Sequence, residues 1–260
     1  MNHLSGHPSL TPMLRKLMKW SALDEEDQQA ILDLPHEIRR VDRGDYIVRE
    51  QDKPSHAALL LSGFAYRHKF VGSGGRQILS VHMSGDMVDL QNTLLRTADH
   101  NVQALSRAVV AFIPCRAIKE LAFGRPRVGM AMWYDTLVDG SIHREWTANV
   151  GRRDARARVA HVLCEFGVRL NDGDLGSPCT YEFPMTQEEF ADAVGLTPVH
   201  VNRTLKALDR DGLTDRAHRS VSIKQWDRLA EIGDFSTNYL HIQDEQGRAG
   251  ADLPAWRMRP

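Results

Sequence analysis

The stretch Met185-Thr186-Gln187-Glu188-Glu189-Phe190-Ala191-Asp192-Ala193-Val194-Gly195-Leu196-Thr197-Pro198-Val199-His200-Val201-Asn202-Arg203-Thr204-Leu205-Lys206-Ala207-Leu208 carries more local structural information than any other part of the chain. Thr186 and Glu189 have capping-box spacing, in which each side chain satisfies a backbone N–H at a helix start. Phe190, Ala191 and Val194 give that helix an apolar face, and Gly195 stands where a left-handed cap ends it. Thr197 is an N-cap residue, and Pro198 takes the first helical position, where a missing N–H costs nothing. Two helices joined by so short a turn have the layout of a helix-turn-helix.

The second helix has two chemically different faces. At about 100° per residue, Val201, Thr204, Leu205 and Leu208 fall together as a core face. Val199, Asn202, Arg203, Lys206 and Arg210 fall on the opposite side, with His200 at the edge. An Arg side chain can bind guanine O6 and N7 with two hydrogen bonds, and Asn can pair with adenine. Lys206 and Arg210 suit phosphate. A helical hairpin with a solvated basic face is the plainer alternative, but caps, turn, proline and basic face together favour DNA. Two short strands follow, Leu213 to Arg216 and Ser220 to Ile223, and read as a wing with Arg219 and Ser220 at its tip. The expected DNA contacts are Thr186, Gln187, Thr197, Val199, His200, Asn202, Arg203, Lys206, Arg210, Arg219 and Ser220.

Upstream, Gly151-Arg152-Arg153 interrupts a long helical pattern, and Asp154 caps a new helix through Val159, Leu163 and Phe166. The long pattern runs from about Arg127 to Val150. Met130, Tyr134, Val138, Ile142 and Trp146 form one stripe, and Trp133, Leu137 and Ser141 a second. If one stripe lies on the N-terminal domain, a second copy of the helix is the simplest partner for the other. Gly140 in mid-helix would then mark close approach of another backbone; a local irregularity is the other explanation.

From about Val41 to Ile113 the pattern changes to short β segments. Phe64, Tyr66, His68 and Phe70 alternate with Ala65, Arg67 and Lys69. After Gly72-Ser73-Gly74-Gly75 come Gln77, Leu79 and Val81, completing a hairpin signal. Regularly spaced turns favour a barrel, roll or jelly roll. Ahead of these segments, Leu14, Leu17 and Met18 have helical spacing, as do Ala30, Ile31 and Leu34 after the Asp24/Asp27 cap. The residues from about Asp244 are polar with Gly and Pro and are expected to be disordered. The fold class is α+β: a jelly-roll-like N-terminal β-roll, a long dimerisation helix and a C-terminal winged helix-turn-helix. The corresponding spans are 1–124, 125–150, 151–235 and a tail at 236–260.

The 260 residues carry a formal charge of -1, so nucleic-acid affinity must come from a local patch. No apolar run reaches the roughly 18 residues of a membrane span, and Met1 to Thr11 lacks a signal pattern, so the expected compartment is the cytoplasm. Cys115, Cys164 and Cys179 form neither a disulfide framework nor a CxxC pair. Cys115 and Cys164 read as core residues, and Cys179, in a loop, as the better thiol-sensor candidate. No Ser-His-Asp arrangement, P-loop or nucleophile motif is present, so no enzymatic activity is expected.

The sequence resembles the Crp/Fnr family of transcription regulators over about residues 20 to 232. The resemblance is most specific at Thr197-Pro198-Val199-His200-Val201-Asn202-Arg203. It extends to Gly74-Gly75-Arg76-Gln77-Ile78-Leu79, Ser84-Gly85-Asp86 and Arg158-Val159-Ala160. It implies a cyclic-nucleotide-binding-type roll and a two-fold dimer on a pseudo-palindromic operator, with recognition helices about 34 Å apart. Where the cyclic-AMP branch has a Gly-Glu pair for ribose, this chain has Asp89-Leu90; near its Arg-Ser pair for phosphate stands Asp99-His100. A carboxylate facing a phosphate is repulsive, so cyclic AMP is not the expected effector. The clustered N-terminal cysteines of the iron–sulfur branch are absent. Of the cyclic-AMP branch's base-reading set only Arg203 remains, with Pro198-Val199 replacing Arg-Glu, so a different operator is expected.

Asp89, Arg96, His100, His143 and Arg144 are the candidate lining of an effector pocket, with His143 and Arg144 placed by the resemblance where a nucleotide base would meet the long helix. The 12 histidines include His56, His68, His82, His100 and His143 in or near the roll, and raise a competing reading: a haem or metal sensor, or a cupin-like metalloenzyme, whose C-terminal helices mediate protein contacts. No HxH or HExxH spacing supports it, so no metal or other cofactor is expected. Trp133, Leu137, Gly140 and Ser141 are the expected dimer positions. The expected partners are a double-stranded DNA operator, a second copy of the chain and RNA polymerase, with no membrane.

Overall fold

The computed structural model describes residues 10–171 and 179–242. The sequence expectation for the tail beyond Asp244, and that for the loop at 172–178, lie outside these residues.

Two short helices lead in. α1 (Thr11–Met18) buries Met13, Leu14 and Leu17, whereas Met18 points outward. α2 (Glu25–Leu32) starts at Asp24, whose carboxylate accepts from the Asp27 N–H at 2.9 Å. The strands β1 (Glu37–Val41), β2 (Tyr46–Val48), β3 (His56–Ser62), β4 (Ala65–Phe70), β5 (Arg76–His82), β6 (Asn101–Ala104) and β7 (Ala108–Pro114) form the roll. They make two antiparallel sheets, ordered β1-β7-β3 and β2-β6-β4-β5.

Strands β3 and β7 are apolar along most of their length because both of their faces are covered. Ala58, Leu60, Ala108 and Val110 meet Val48, Ala65 and Val102 in one core. Ala57, Leu59, Ala111 and Ile113 face the larger core beneath the helices. A strand buried on both sides loses the in–out alternation of a half-exposed one. The hairpin β4–β5 forms as the glycine-rich turn suggests, with Ala65 opposite His82 and Phe70 opposite Arg76. Its register shifts between Arg67 and His68, and Ala65 to His68 are all buried, so the simple alternation fails there.

Chain reversal through α3 (Cys115–Gly124) leads into α4 (Pro126–Arg152). Val138, Ile142 and Trp146 of its first stripe are buried, but Met130 is exposed. A four-residue repeat advances about 400° and so drifts about 40° per step; the stripe winds away from the core by Met130. In the second stripe Trp133 and Leu137 are exposed, whereas Ser141 packs within its own chain.

The last unit comprises α5 (Ala155–Leu170), β8 (Cys179–Glu182), α6 (Gln187–Val194), α7 (Pro198–Arg210), β9 (Thr214–Ala217), β10 (Ser220–Ile223) and α8 (Trp226–Ile232). Asp154 caps α5 by accepting from the Arg156 and Ala157 N–H groups, both at 2.9 Å. Strand order β8-β10-β9 makes the wing three-stranded. Cys179 begins β8 and is buried, not in a loop, because its thiol lies against α5: a Cβ added at Gly167 would sit 3.1 Å from its Sγ. Phe183 links Phe166 of α5 to Phe190 of α6, with ring centroids 4.9 Å apart in each pair. Among the described residues no helix is long and apolar enough to cross a membrane.

Candidate nucleic-acid interface

The geometry of α6 and α7 follows from their caps. Thr186 Oγ1 accepts from the Glu189 N–H, and Glu189 accepts from the Thr186 N–H at 2.7 Å, closing the reciprocal box. Gly195 has φ of 64°, the left-handed conformation that favours glycine and turns the chain into α7. Thr197 Oγ1 accepts from the His200 N–H, with Pro198 in the first turn. Val201, Thr204, Leu205 and Leu208 are buried as expected.

The opposite face is open. Val199, Arg203, Lys206 and Arg210 are exposed, with Asn202 and His200 half-buried beside them. Among the described residues Arg203 and Lys206 have no ion-pair partner, so their cationic heads are available to an anionic ligand. Gln187, from the first turn of α6, lines the same shallow concavity as Val199, Asn202 and Arg203. Thr186 and Thr197 are exposed at the two helix N-termini, where backbone N–H groups favour phosphate.

Asp209, on the far side of α7, fixes the wing. It accepts from Thr214 Oγ1 at 2.7 Å and from Arg216 Nη2 at 2.7 Å. Arg219 is exposed at the turn, but Ser220 is not at the tip: it already pairs with Ala217 and Glu182 in the sheet and is half-buried. His218, with φ of 54°, occupies the turn.

α6 rests on the roll of its own chain. Arg76 Nε donates to Asp192 at 2.7 Å, and Gln77 Nε2 donates to the Asp192 carbonyl at 2.8 Å. Arg43 donates to the Glu189 carboxylate and to the carbonyls of Leu105 and Pro184. The recognition face of α7 stays uncovered in this arrangement. Sequence reasoning missed the contacts to α6 and Pro184 because their partners lie 115 and more positions apart.

The five candidate effector residues sit in different settings. Arg96 and Arg144 are exposed, and His100 is buried with Nδ1 2.6 Å from Asp99. Asp89 is enclosed and accepts from the Ala58 N–H at 2.7 Å; burial pushes its carboxyl up to about 6. His143 instead meets Arg67, a residue the sequence did not single out. Arg67 is buried and reaches Asp139 at 2.9 Å, His143 Nε2 at 3.0 Å and the Val88 carbonyl at 2.8 Å. Burial opposes ionisation of Asp139, but the Arg67 guanidinium together with His82 and His143 outweighs it and holds the carboxyl at about 2. One guanidinium thus ties the roll to α4.

A cavity of about 480 Å³ lies between α1, the end of β5, α4 and α5, with Lys16, His82, Asp86, Asp135, Asp139 and Arg169 in its wall. Asp86 is its electrostatic hub, accepting from Lys16 at 2.7 Å and Arg169 at 3.1 Å. Burial works against its charge, yet Lys16 keeps the carboxyl well below the usual range. The histidines of the roll are dispersed: burial pushes His68 and His82 down to about 4, and among the described residues no three His, Cys, Asp or Glu side chains are placed to hold a metal.

Comparison with known proteins matches both halves. Residues 38–124 match the cyclic nucleotide-binding domain model, and residues 157–232 match the Crp-like helix-turn-helix domain model. The chain belongs to the Crp/Fnr family of transcriptional regulators. It is similar to the transcriptional activator protein FnrL of Cereibacter sphaeroides, 27% identical over 223 residues covering 84% of this chain and 89% of that one. It is equally similar to the nitrogen fixation regulation protein FixK of Bradyrhizobium diazoefficiens, 27% identical over 226 residues, 84% of this chain and 91% of that one. The fold matches the solved structure of FixK2 from Bradyrhizobium japonicum with a TM-score of 0.70 at 22% identity, covering 76% of this chain and 98% of that one. As a Crp/Fnr regulator, the chain is a DNA-binding protein of transcription, and α7 lies within its Crp-like helix-turn-helix domain.

Proposed function

We propose that this regulator acts as a homodimer on a pseudo-palindromic operator. The reading rests on the exposed face of α7, where among the described residues Arg203 and Lys206 have no ion-pair partner, on a chain whose long helix α4 leaves large apolar side chains in solvent. Trp133 is 60% and Leu137 54% exposed on α4. Beside them a Cβ at Gly140 would meet only the Arg144 guanidinium at 3.4 Å, which leaves room for a second backbone. Pairing two α4 helices there would bury both stripes and set two α7 helices about 34 Å apart, one duplex turn. Ser141 is not part of this surface.

In this reading Arg203 binds guanine, Asn202 reads a neighbouring base, and Lys206, Arg210 and Arg219 hold phosphates. The chain acts by binding and not by catalysis, works in the cytoplasm and delivers RNA polymerase to or from the promoter. A small effector shifts it only by binding the DNA-competent and incompetent dimers differently. That effector is not cyclic AMP: enclosed Asp89 already accepts from the Ala58 N–H and from Asn92, so it leaves a ribose hydroxyl no open acceptor, and as a carboxylate it has no donor for a phosphate.

Selection of bound sequences from random duplexes tests the reading, together with sedimentation of the free protein. A two-fold-symmetric site bound by a dimer is expected. Enrichment of no site, or a stable monomer that binds one half-site, would overturn it.

A further inference from the structure

Val199 stands out on the recognition face. It is 80% exposed, more than Trp133 or Leu137, and the core of the winged helix makes no use of it. A β-branched side chain is a poor choice for a solvated helix position, since it loses rotamer freedom and gains no burial. Its neighbours Asn202 and Arg203 lie three and four residues on, hence on the same face and one turn further along. Val199 is in the first turn of α7, the end that a recognition helix presents to base edges. Its side chain has neither donor nor acceptor. The one apolar feature in the floor of the major groove is the C5-methyl of thymine.

We propose that Val199 is a specificity-determining residue that packs on a thymine methyl and so fixes a T·A pair in each half-site. The inference rests on α7 being the recognition helix and adds the identity of one base it selects. Four residues of helix rise separate Val199 from Arg203, about 6 Å. The thymine therefore lies on the order of two base-pair steps from the guanine that Arg203 binds. A polar or acidic side chain at this position would instead seek a cytosine amino group or another donor, so the valine excludes that half of the code.

The test replaces single thymines of the selected operator by deoxyuridine, which removes the methyl and leaves every hydrogen-bonding group in place. Affinities of wild type and Val199→Ala are measured by fluorescence anisotropy at one fixed salt concentration. One thymine per half-site, near the Arg203 guanine, is expected to weaken wild-type binding about three- to five-fold when demethylated, the size of one buried methyl. Val199→Ala should bind the unmodified operator more weakly and be indifferent to that demethylation. Because the side chain is exposed, the variant retains the wild-type fold, checked by circular dichroism. The inference is overturned if no thymine is methyl-sensitive, or if Val199→Ala stays as sensitive as wild type; specific operator binding in those cases leaves α7 standing as the recognition helix. Failure of the selection to yield any operator overturns both.

Discussion

Asp139→Asn removes a negative charge from the Arg67 clamp while keeping the side chain's shape. In the wild type, Arg67, with His82 and His143 beside it, holds the Asp139 carboxyl at about 2 against an ordinary value of 3.8. A shift of that size corresponds to about 2.5 kcal/mol of folded-state stabilisation at neutral pH. The Asp139 side chain is 34% exposed, so solvent screening reduces this to about 1–1.5 kcal/mol. The variant also leaves the Arg67 guanidinium, itself 6% exposed, with a neutral partner in place of a carboxylate. The total expected loss is about 2 kcal/mol at pH 7. The sign follows from the depressed carboxyl: the folded protein binds fewer protons than the unfolded chain between the two values. The stabilisation is therefore complete above about pH 4 and is lost as pH falls towards about 2. Urea unfolding followed by circular dichroism, repeated from pH 7 downwards, reads both the size and the trend. A gap under about 0.5 kcal/mol at pH 7, or one that does not narrow on acidification, would refute the clamp as described.

Lys206→Ala should weaken binding to all sequences alike and make the log–log salt dependence shallower by roughly 0.9 per protomer, measured by anisotropy at several salt concentrations. Leu137→Glu should place charge in the paired α4 stripes and shift sedimentation from dimer to monomer, with loss of operator binding. Phe166→Ala, at a fully buried site joining α5 to Phe183, should cost about 3–5 kcal/mol in thermal or urea unfolding.

The parts of this fold that could be read in advance are those whose causes are local. Asp24, Asp154, Thr186 with Glu189, Gly195 and Thr197 with Pro198 all cap helices as their spacing suggests, because a cap is settled within four residues. The two faces of α7 followed from helical period alone. What escaped depends on partners brought together by the tertiary fold. Strand β8 pairs with β10 across some 40 residues, and nothing in Cys179-Thr180-Tyr181-Glu182 announces the partner. Arg67 sits 72 positions from Asp139, and nothing in the alternation of its strand announces that it is buried. Asp209 takes its role only from Thr214 and Arg216, which the wing brings back onto α7. Arg67, which faces three of the candidate effector residues, Asp89, His100 and His143, escaped for the same reason: these residues come from separate segments that only the fold brings together.

On this reading everything downstream depends on the exposed guanidinium of Arg203 binding a base edge. Gel-shift titration of wild type and Arg203→Ala, on the selected operator and on a scrambled duplex of equal length, tests it most directly. Arg203→Ala is expected to lose about 1–3 kcal/mol on the operator for each recognition helix, with little change on the scrambled duplex. Equal operator affinities for the two proteins would contradict it.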